Sequence, residues 1–202
     1  VLAGGEGRRM QGQDKGLVHH QGRPLAAAVL QVMAAQTPQL CISANRNLPD
    51  YIQLLNEVWP GKLPGEPVAS NLVWPDDPDL PPQGGPLAGI LTALRRCTTD
   101  WLLCVPCDMP YLPPDLLARL IHEAVRSGAD LVVASTQPPG EAPRHHWVCA
   151  LVNKRTAAST HALFMAGERK VGNWVRAQQW SSVSFDDDNA FANMNTPETL
   201  HA

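Results

Sequence analysis

The sequence predicts a single α/β domain built on a doubly wound, mostly parallel sheet of Rossmann-like kind. Three observations predict it. An apolar stub, Val1 to Ala3, runs into a loop with glycine at 4, 5, 7 and 12. Strand-like and helix-like stretches then alternate along the 202 residues. Isolated polar residues also recur just after successive strands, where open α/β sheets bind their ligands. At this length one domain can bury a substantial core.

Beyond the glycine loop, residues 17–25 form a short excursion turning at Gln21-Gly22. Residues 24–35 carry apolar side chains at 25, 29, 30 and 33, a helical spacing, with Pro24 at the start. A strand over 40–44 ends in Asn45-Arg46-Asn47, and 51–55 is a short helix. The Pro- and Gly-rich stretch 59–70 reads as a loop or insertion. A strand over 72–74 runs into Pro75-Asp76-Asp77-Pro78-Asp79, and a helix over 86–96 follows, with Pro86 near N1. The unbroken apolar run 101–105 suits a central parallel strand and stops at Pro106-Cys107-Asp108. An amphipathic helix (113–127), a strand (130–134), a loop (137–144) and a strand (148–152) come next. Helices over 156–165 and 171–178 precede a last strand around 183–185. The 191–200 end turns from extended chain to a helix capped by Thr196, with Pro197 at N1.

Composition narrows the function. A net charge of −3 argues against a general nucleic-acid binder. No apolar run approaches membrane-spanning length and no signal peptide is visible, so no membrane partner is expected. Five cysteines, an odd number with several in apolar runs, fit reduced thiols in the cytoplasm. Val1 stands mid-strand, which predicts a short preceding segment outside this numbering.

The opening loop reads as an anion site. Glycines let the backbone approach a ligand, successive N–H groups form an anion-binding concavity, and Arg8, Arg9 and Lys15 add charge suited to a polyphosphate. It is neither familiar loop type. Gln13 follows Gly12 where a Walker loop needs Lys, and Met10 stands where a dinucleotide fingerprint needs Gly.

Asp108 is the sharpest single residue. A carboxylate at a strand end between Pro106 and Pro110 is a rigid hard-oxygen ligand, and Mg²⁺ needs only one or two such groups beside phosphate and water. Asp76, Asp77 and Asp79 form an acidic loop from which one could bond a base or ribose, and Asn45 could do the same or simply form a turn. Asn193 and Asn195 alternate on extended chain and share a face, able to hold a polar ligand or to form turns. Arg169 and Lys170 offer cations that could meet a substrate phosphate or simply be solvated. Cys104 and Cys107 form C-x-x-C without a partner pair for zinc, so a structural role is expected. His145-His146 and His19-His20 match no ligand motif and read as surface or loop residues. No nucleophile–base arrangement is suggested. That suits phosphoryl or nucleotidyl transfer, where positioning and charge neutralisation carry the rate.

In order along the chain, Leu2-Ala-Gly-Gly5, Arg8-Arg9-Met10, Gly12, Asp14-Lys15, Ala44-Asn45-Arg46, Gly85-Pro-Leu-Ala-Gly89, Pro106-Cys-Asp-Met-Pro110, Gly167-Glu-Arg-Lys170 and Asn193-Met-Asn-Thr-Pro-Glu198 resemble the signature of molybdenum cofactor guanylyltransferases, the MobA family of nucleotidyltransferases. The resemblance implies GMP transfer from GTP to the terminal phosphate of molybdopterin, with Mg²⁺ and release of pyrophosphate. It implies that the backbone of Leu2, Ala3 and Gly4 lines the guanine, with Gly5 in the same nucleotide loop. Lys15 and Arg9 would meet the triphosphate, Asn45 and Asp76 the nucleoside, and Asp108 the nucleotide and metal. Arg169, Asn193 and Asn195 would form the molybdopterin side. It also implies contact with other cofactor-biosynthesis proteins and with molybdoenzyme apoproteins. Asp76 rather than Asp77 rests on an ungapped match through Val73-Trp74. A cytidylyltransferase is the nearest alternative, and a non-catalytic nucleotide- or cofactor-binding adapter the alternative of another class.

Overall fold

The computed structural model describes residues 1–3, 13–59, 71–82 and 84–194. Residues 1–3 lie in the middle of the sheet. Leu2 bridges Ser43 on one side and Pro106 on the other, both in parallel. A hairpin of β1 (His19–His20) and β2 (Arg23–Pro24), turning at Gln21-Gly22, leads into α1 (Leu25–Gln36). Then come β3 (Ile42–Ser43), α2 (Leu48–Val58) and β4 (Val73–Trp74). Next are α3 (Gly85–Arg96), β5 (Trp101–Cys104), α4 (Leu116–Ser127) and β6 (Leu131–Thr136). The chain goes on through β7 (Arg144–Asn153), α5 (Ala157–Met165), α6 (Val171–Arg176) and β8 (Trp180–Phe185). The continuous order is β4, β3, residues 1–3, β5, β7, β6, β8, with β7 alone antiparallel to its neighbours.

Both faces of the sheet are covered, as the doubly wound reading expects. One core layer joins α1, α2 and α4 through Leu30, Tyr51, Leu55, Leu116 and Leu120 to Ile42, Val132 and Ala134. The other joins α3, α5 and α6 through Leu87, Leu91, Phe164 and Trp174 to Leu131, Val133 and Val152. Alternation along β6 splits 131 and 133 from 132 and 134, one pair to each layer. Gly89 permits α3 to pack closely on the sheet: a Cβ there would stand 2.6 Å from Ser43 Oγ and 3.1 Å from Leu2 Cδ2.

Beyond shifts of a few residues at element ends, such as α4 starting at Leu116, two elements differ from expectation. The short helix expected over 51–55 runs Leu48–Val58, because Asn47 in the left-handed conformation (φ 52°) starts it and Pro49 tolerates the first turn. The strand expected over 148–152 begins at Arg144, so His145 and His146 are strand residues and not loop residues. Ladder bonds to Ala134, Ser135 and Thr136 across a bulge at Val133/Ala134 extend it. The expected loop over 59–70 and the Thr196 cap fall largely or wholly outside the described residues. All five cysteines are free, and burial pushes the thiols of Cys104 and Cys107 up to about 12, which fits structural roles.

Candidate active site

The strand order reverses between residues 1–3 and β5, and Asp108 sits just beyond that point. Open sheets leave a crevice there at the strands' C-terminal ends. Asp108 is buried, and its Oδ2 lies 3.2 Å from Lys15 Nζ. Its main-chain oxygen accepts the Met194 amide at 2.9 Å. One residue thus joins the glycine-loop side to the chain bearing Asn193, which is exposed.

Lys15 is aimed by a buried hub. Asp14 caps the 3-10 turn Lys15–Leu17 through the Gly16 amide. Its carboxylate also accepts Tyr51 Oη at 2.6 Å and Asn47 Nδ2 at 3.0 Å, and Arg46 Nε lies 3.6 Å away. Burial, with Cys107 and Asp14 nearby, pushes the Tyr51 phenol far above its ordinary range, so it stays a donor at neutral pH. A Cβ on Gly16 would collide with that hydroxyl. Sequence reasoning quoted Asp14 only as part of a motif and missed Tyr51; the one available signal was an Asp immediately before the candidate lysine.

On the neighbouring strands, Asn45 and Asp76 form a reciprocal pair. Asn45 Nδ2 donates to Asp76 Oδ2 at 2.9 Å, and the Asp76 amide donates to Asn45 Oδ1 at 2.8 Å. Burial raises the Asp76 pKa, the Asn45 bond opposes that, and nearby Asp77 adds to it. Asp77 is engaged elsewhere: Arg95 and Arg96 donate to its carboxylate at 3.0 and 2.8 Å. Leu2 serves the sheet with both backbone groups, donating to Val105 and accepting from Cys107, and the Ala3 amide donates to Ser43.

Arg169, in the turn between α5 and α6, is spent locally. Its guanidinium lies 3.9 Å over the Phe164 ring and donates to the carbonyls of Phe164 and Glu168. Phe164 packs against Gly84 at the start of α3, so Arg169 is near that helix end without reaching Asp108 in any described contact. Gly4, Gly5, Arg9 and Asn195 lie outside the described residues. No cluster of three or more metal-ligating His, Cys, Asp or Glu occurs among the described residues. Within them, the single Asp108 carboxylate fits a Mg²⁺ held mostly by phosphate and water. An apolar cavity of about 690 Å³, lined by Cys41, Leu72, Trp101 and Leu103, opens at the opposite strand ends and includes none of the candidate residues.

The MobA-like NTP transferase domain matches residues 1–183. The chain belongs to that family. The molybdenum cofactor guanylyltransferase of Acidovorax ebreus (strain TPSY) is 40% identical over 211 aligned positions, covering 100% of this chain and 92% of that protein. The same-named protein of Shewanella frigidimarina is 42% identical over 199, covering 98% and 90%. In fold, the chain is similar to molybdopterin-guanine dinucleotide biosynthesis protein A from Archaeoglobus fulgidus, with TM-score 0.71, 23% identity and coverage of 99% and 93%. It is also similar to 2-C-methyl-D-erythritol 4-phosphate cytidylyltransferase from Thermus thermophilus, with TM-score 0.66, 12% identity and coverage of 98% and 93%. This MobA-like chain is therefore a nucleotidyltransferase enzyme, which sets aside the non-catalytic adapter. No helix among its described residues is long and apolar enough to cross a membrane.

Proposed function

We propose that this nucleotidyltransferase transfers GMP from GTP to the terminal phosphate of molybdopterin, acting in the cytoplasm. The observation that carries this reading is the double engagement of Asp108, by its side chain with Lys15 and by its main chain with Met194. A nucleotide triphosphate on the Lys15 side and a phosphate acceptor on the Asn193 side would meet at that residue. The names of the full-length relatives supply guanylyl transfer and the molybdenum cofactor, whose organic part is molybdopterin.

The acceptor phosphate is already ionised at neutral pH and needs no general base. Its oxygen forms a bond to the α-phosphorus of GTP as the bond to pyrophosphate breaks in line. Lys15 and the loop amides offset the charge that develops on the leaving pyrophosphate. Lys15 must exchange Asp108 for phosphate oxygens. Its side chain is a quarter exposed, and phosphate oxygens would replace the carboxylate as its anionic partner, so the ammonium is never left without one. Asn45 and Asp76 would hold the nucleoside, with base contacts from Ala3 and the loop beyond it. Asp108 would hold Mg²⁺, which when bound neutralises charge on the phosphate oxygens. Asn193 and the 169–170 turn would receive the acceptor, and the product would pass to other cofactor-biosynthesis proteins or apoproteins.

Transfer assays with molybdopterin, Mg²⁺ and either GTP or CTP test the reading. GTP should be preferred by about 100-fold, the scale on which paired base-edge hydrogen bonds discriminate. Preference for CTP would sink it.

A further inference from the structure

At the opposite edge of the sheet from β4, the ends of β6, β7 and β8 converge on a polar relay outside the Lys15, Asn45 and Asp76 contacts. Thr136 lies opposite Arg144 in the β6–β7 ladder. Beyond β8, Asp187 caps a 3-10 turn over Asp188–Phe191. The Asp188 carboxylate accepts Thr136 Oγ1 at 2.5 Å and Arg144 Nη1 at 2.7 Å. Thr136 has one hydroxyl proton, and Asp188 receives it. The 3.0 Å contact between Thr136 Oγ1 and His146 Nε2 must then be donation from the imidazole. Hydrogen bonds therefore run one way, from His146 to Thr136 to Asp188.

The other surface of that imidazole is apolar in its contacts. It stacks on Phe191 with centroids 4.3 Å apart and planes 12° from parallel. Phe191 in turn meets the Phe185 ring edge-on at 5.2 Å. The turn is thus gripped at its first residue by the relay and at its last by the stack. Ala192 continues it through a bond to the Asn189 carbonyl, and two residues later the Met194 amide lands on Asp108.

We propose that His146, with Thr136 and Asp188, is a positioning residue that docks the 187–194 segment and so sets Asn193 beside Asp108 for the phosphate acceptor. The role in acceptor binding rests on the guanylyltransferase reading; the docking does not. Imidazole suits the task because it presents a small flat ring to Phe191 and an N–H to Thr136 together. Burial lowers its pKa to about 4, Asp188 opposing and Arg144 and His145 assisting, so at physiological pH the ring is neutral and donates to Thr136 as the tautomer with its proton on Nε2.

The test uses the full chain and three variants: His146→Ala, which loses stack and donor; His146→Phe, which keeps the stack; and Thr136→Val, which breaks the relay. Amide hydrogen exchange at Met194 is read without ligands, beside core amides of Val132 and Leu151. Steady-state KM and kcat are read for GTP and molybdopterin separately. His146→Ala should speed Met194 exchange and raise the molybdopterin KM about tenfold, the scale of a small misplacement, with the GTP KM unchanged. Thr136→Val should follow in the same direction, and His146→Phe should recover part of the loss. Unchanged Met194 exchange, equal loss of protection at Met194 and the core, or equal rises in both KM values would overturn the proposal. If His146→Ala does not fold, the contrast between His146→Phe and Thr136→Val decides it. Wild-type protein that transfers nothing to molybdopterin would sink the functional reading, and with it the acceptor role, while the exchange data still decide the docking.

Discussion

On the side of β3, β4 and residues 1–3, the candidate groups stand at the ends of parallel strands and are held by short polar bonds to side chains such as Asn45 and Lys15. On the acceptor side, rings join polar bonds in holding the candidate groups: Arg169, near the start of α3, lies over Phe164, and the chain bearing Asn193 is anchored through the His146–Phe191 stack as well as through Asp188. A polar contact can be exchanged for a phosphate or a sugar hydroxyl at little cost. A stacked ring gives shape and fixes position without offering charge. The difference suggests a side that trades partners when nucleotide arrives and a side that is built in advance for its acceptor.

The largest effect should come from removing the group the two sides share. Asp108→Ala should cut GMP transfer by about 10³-fold, with unchanged far-ultraviolet circular dichroism. Lys15→Ala should act on the nucleotide side alone, lowering turnover with GTP and leaving Met194 amide exchange as it was. If Asp108→Ala turns over normally, the metal and the chemistry sit elsewhere, and the comparison loses its pivot.

Next in size is the hub behind Lys15. Tyr51→Phe removes a buried hydrogen bond to the Asp14 carboxylate and should lower stability by about 1.5–3 kcal/mol in urea unfolding. The acceptor side's counterpart, the Thr136 hydroxyl on Asp188, ends on a carboxylate that is 40% exposed, so its loss should register as local exchange rather than as a shifted urea midpoint. A Tyr51→Phe midpoint equal to wild type would mean that Arg46, Asn47 and the Gly16 amide satisfy Asp14 by themselves.

These two regions were also unequally legible in the sequence. Apolar runs punctuated by Pro and Gly marked nearly every strand and helix, and their alternation implied a doubly wound sheet whose strand ends carry Asn45, Asp76 and Asp108. Strand direction has no period of its own, so nothing marked β7 as antiparallel. Arg144-His-His-Trp147 lacks apolar alternation, and the ladder to β6 that makes it a strand is a long-range contact. The Tyr51–Asp14 bond spans 37 residues and had no local signature. Arg169 was visible as a cation, whereas its stacking on Phe164 was not.

A smaller and graded effect follows from acid. Burial lowers the His146 pKa from an ordinary 6.5 to about 4, so the ring on β7 takes up a proton more readily once the 187–194 segment has left it than while the segment covers it. Docking should be constant above pH 6.5 and weaken steadily as pH falls toward 4. Met194 protection, corrected for intrinsic exchange, should show that slope in wild type and a flatter one in His146→Phe. Asp188, Arg144 and His145 face the same ring and remain in both proteins, so the difference isolates the imidazole. Parallel slopes would assign the acid response to one of them instead.

The smallest expected effect separates two adjacent carboxylates. Asp76 is paired with a neutral amide, which leaves its negative charge available to sugar hydroxyls. Asp77 already carries Arg95 and Arg96, and its amide donates to Thr92 Oγ1, so it ties the loop to α3. Asp76→Asn should raise the GTP KM about tenfold, as expected when a hydrogen bond to a charged group is lost. Asp77→Asn should leave the GTP KM within about twofold, because Asp77 is already engaged by Arg95 and Arg96 and not by the nucleoside, and Arg95 keeps Asp79 at 2.9 Å. The reverse order would put the nucleoside contact one residue further along, and would mean that Arg95 and Arg96 release Asp77 when GTP binds.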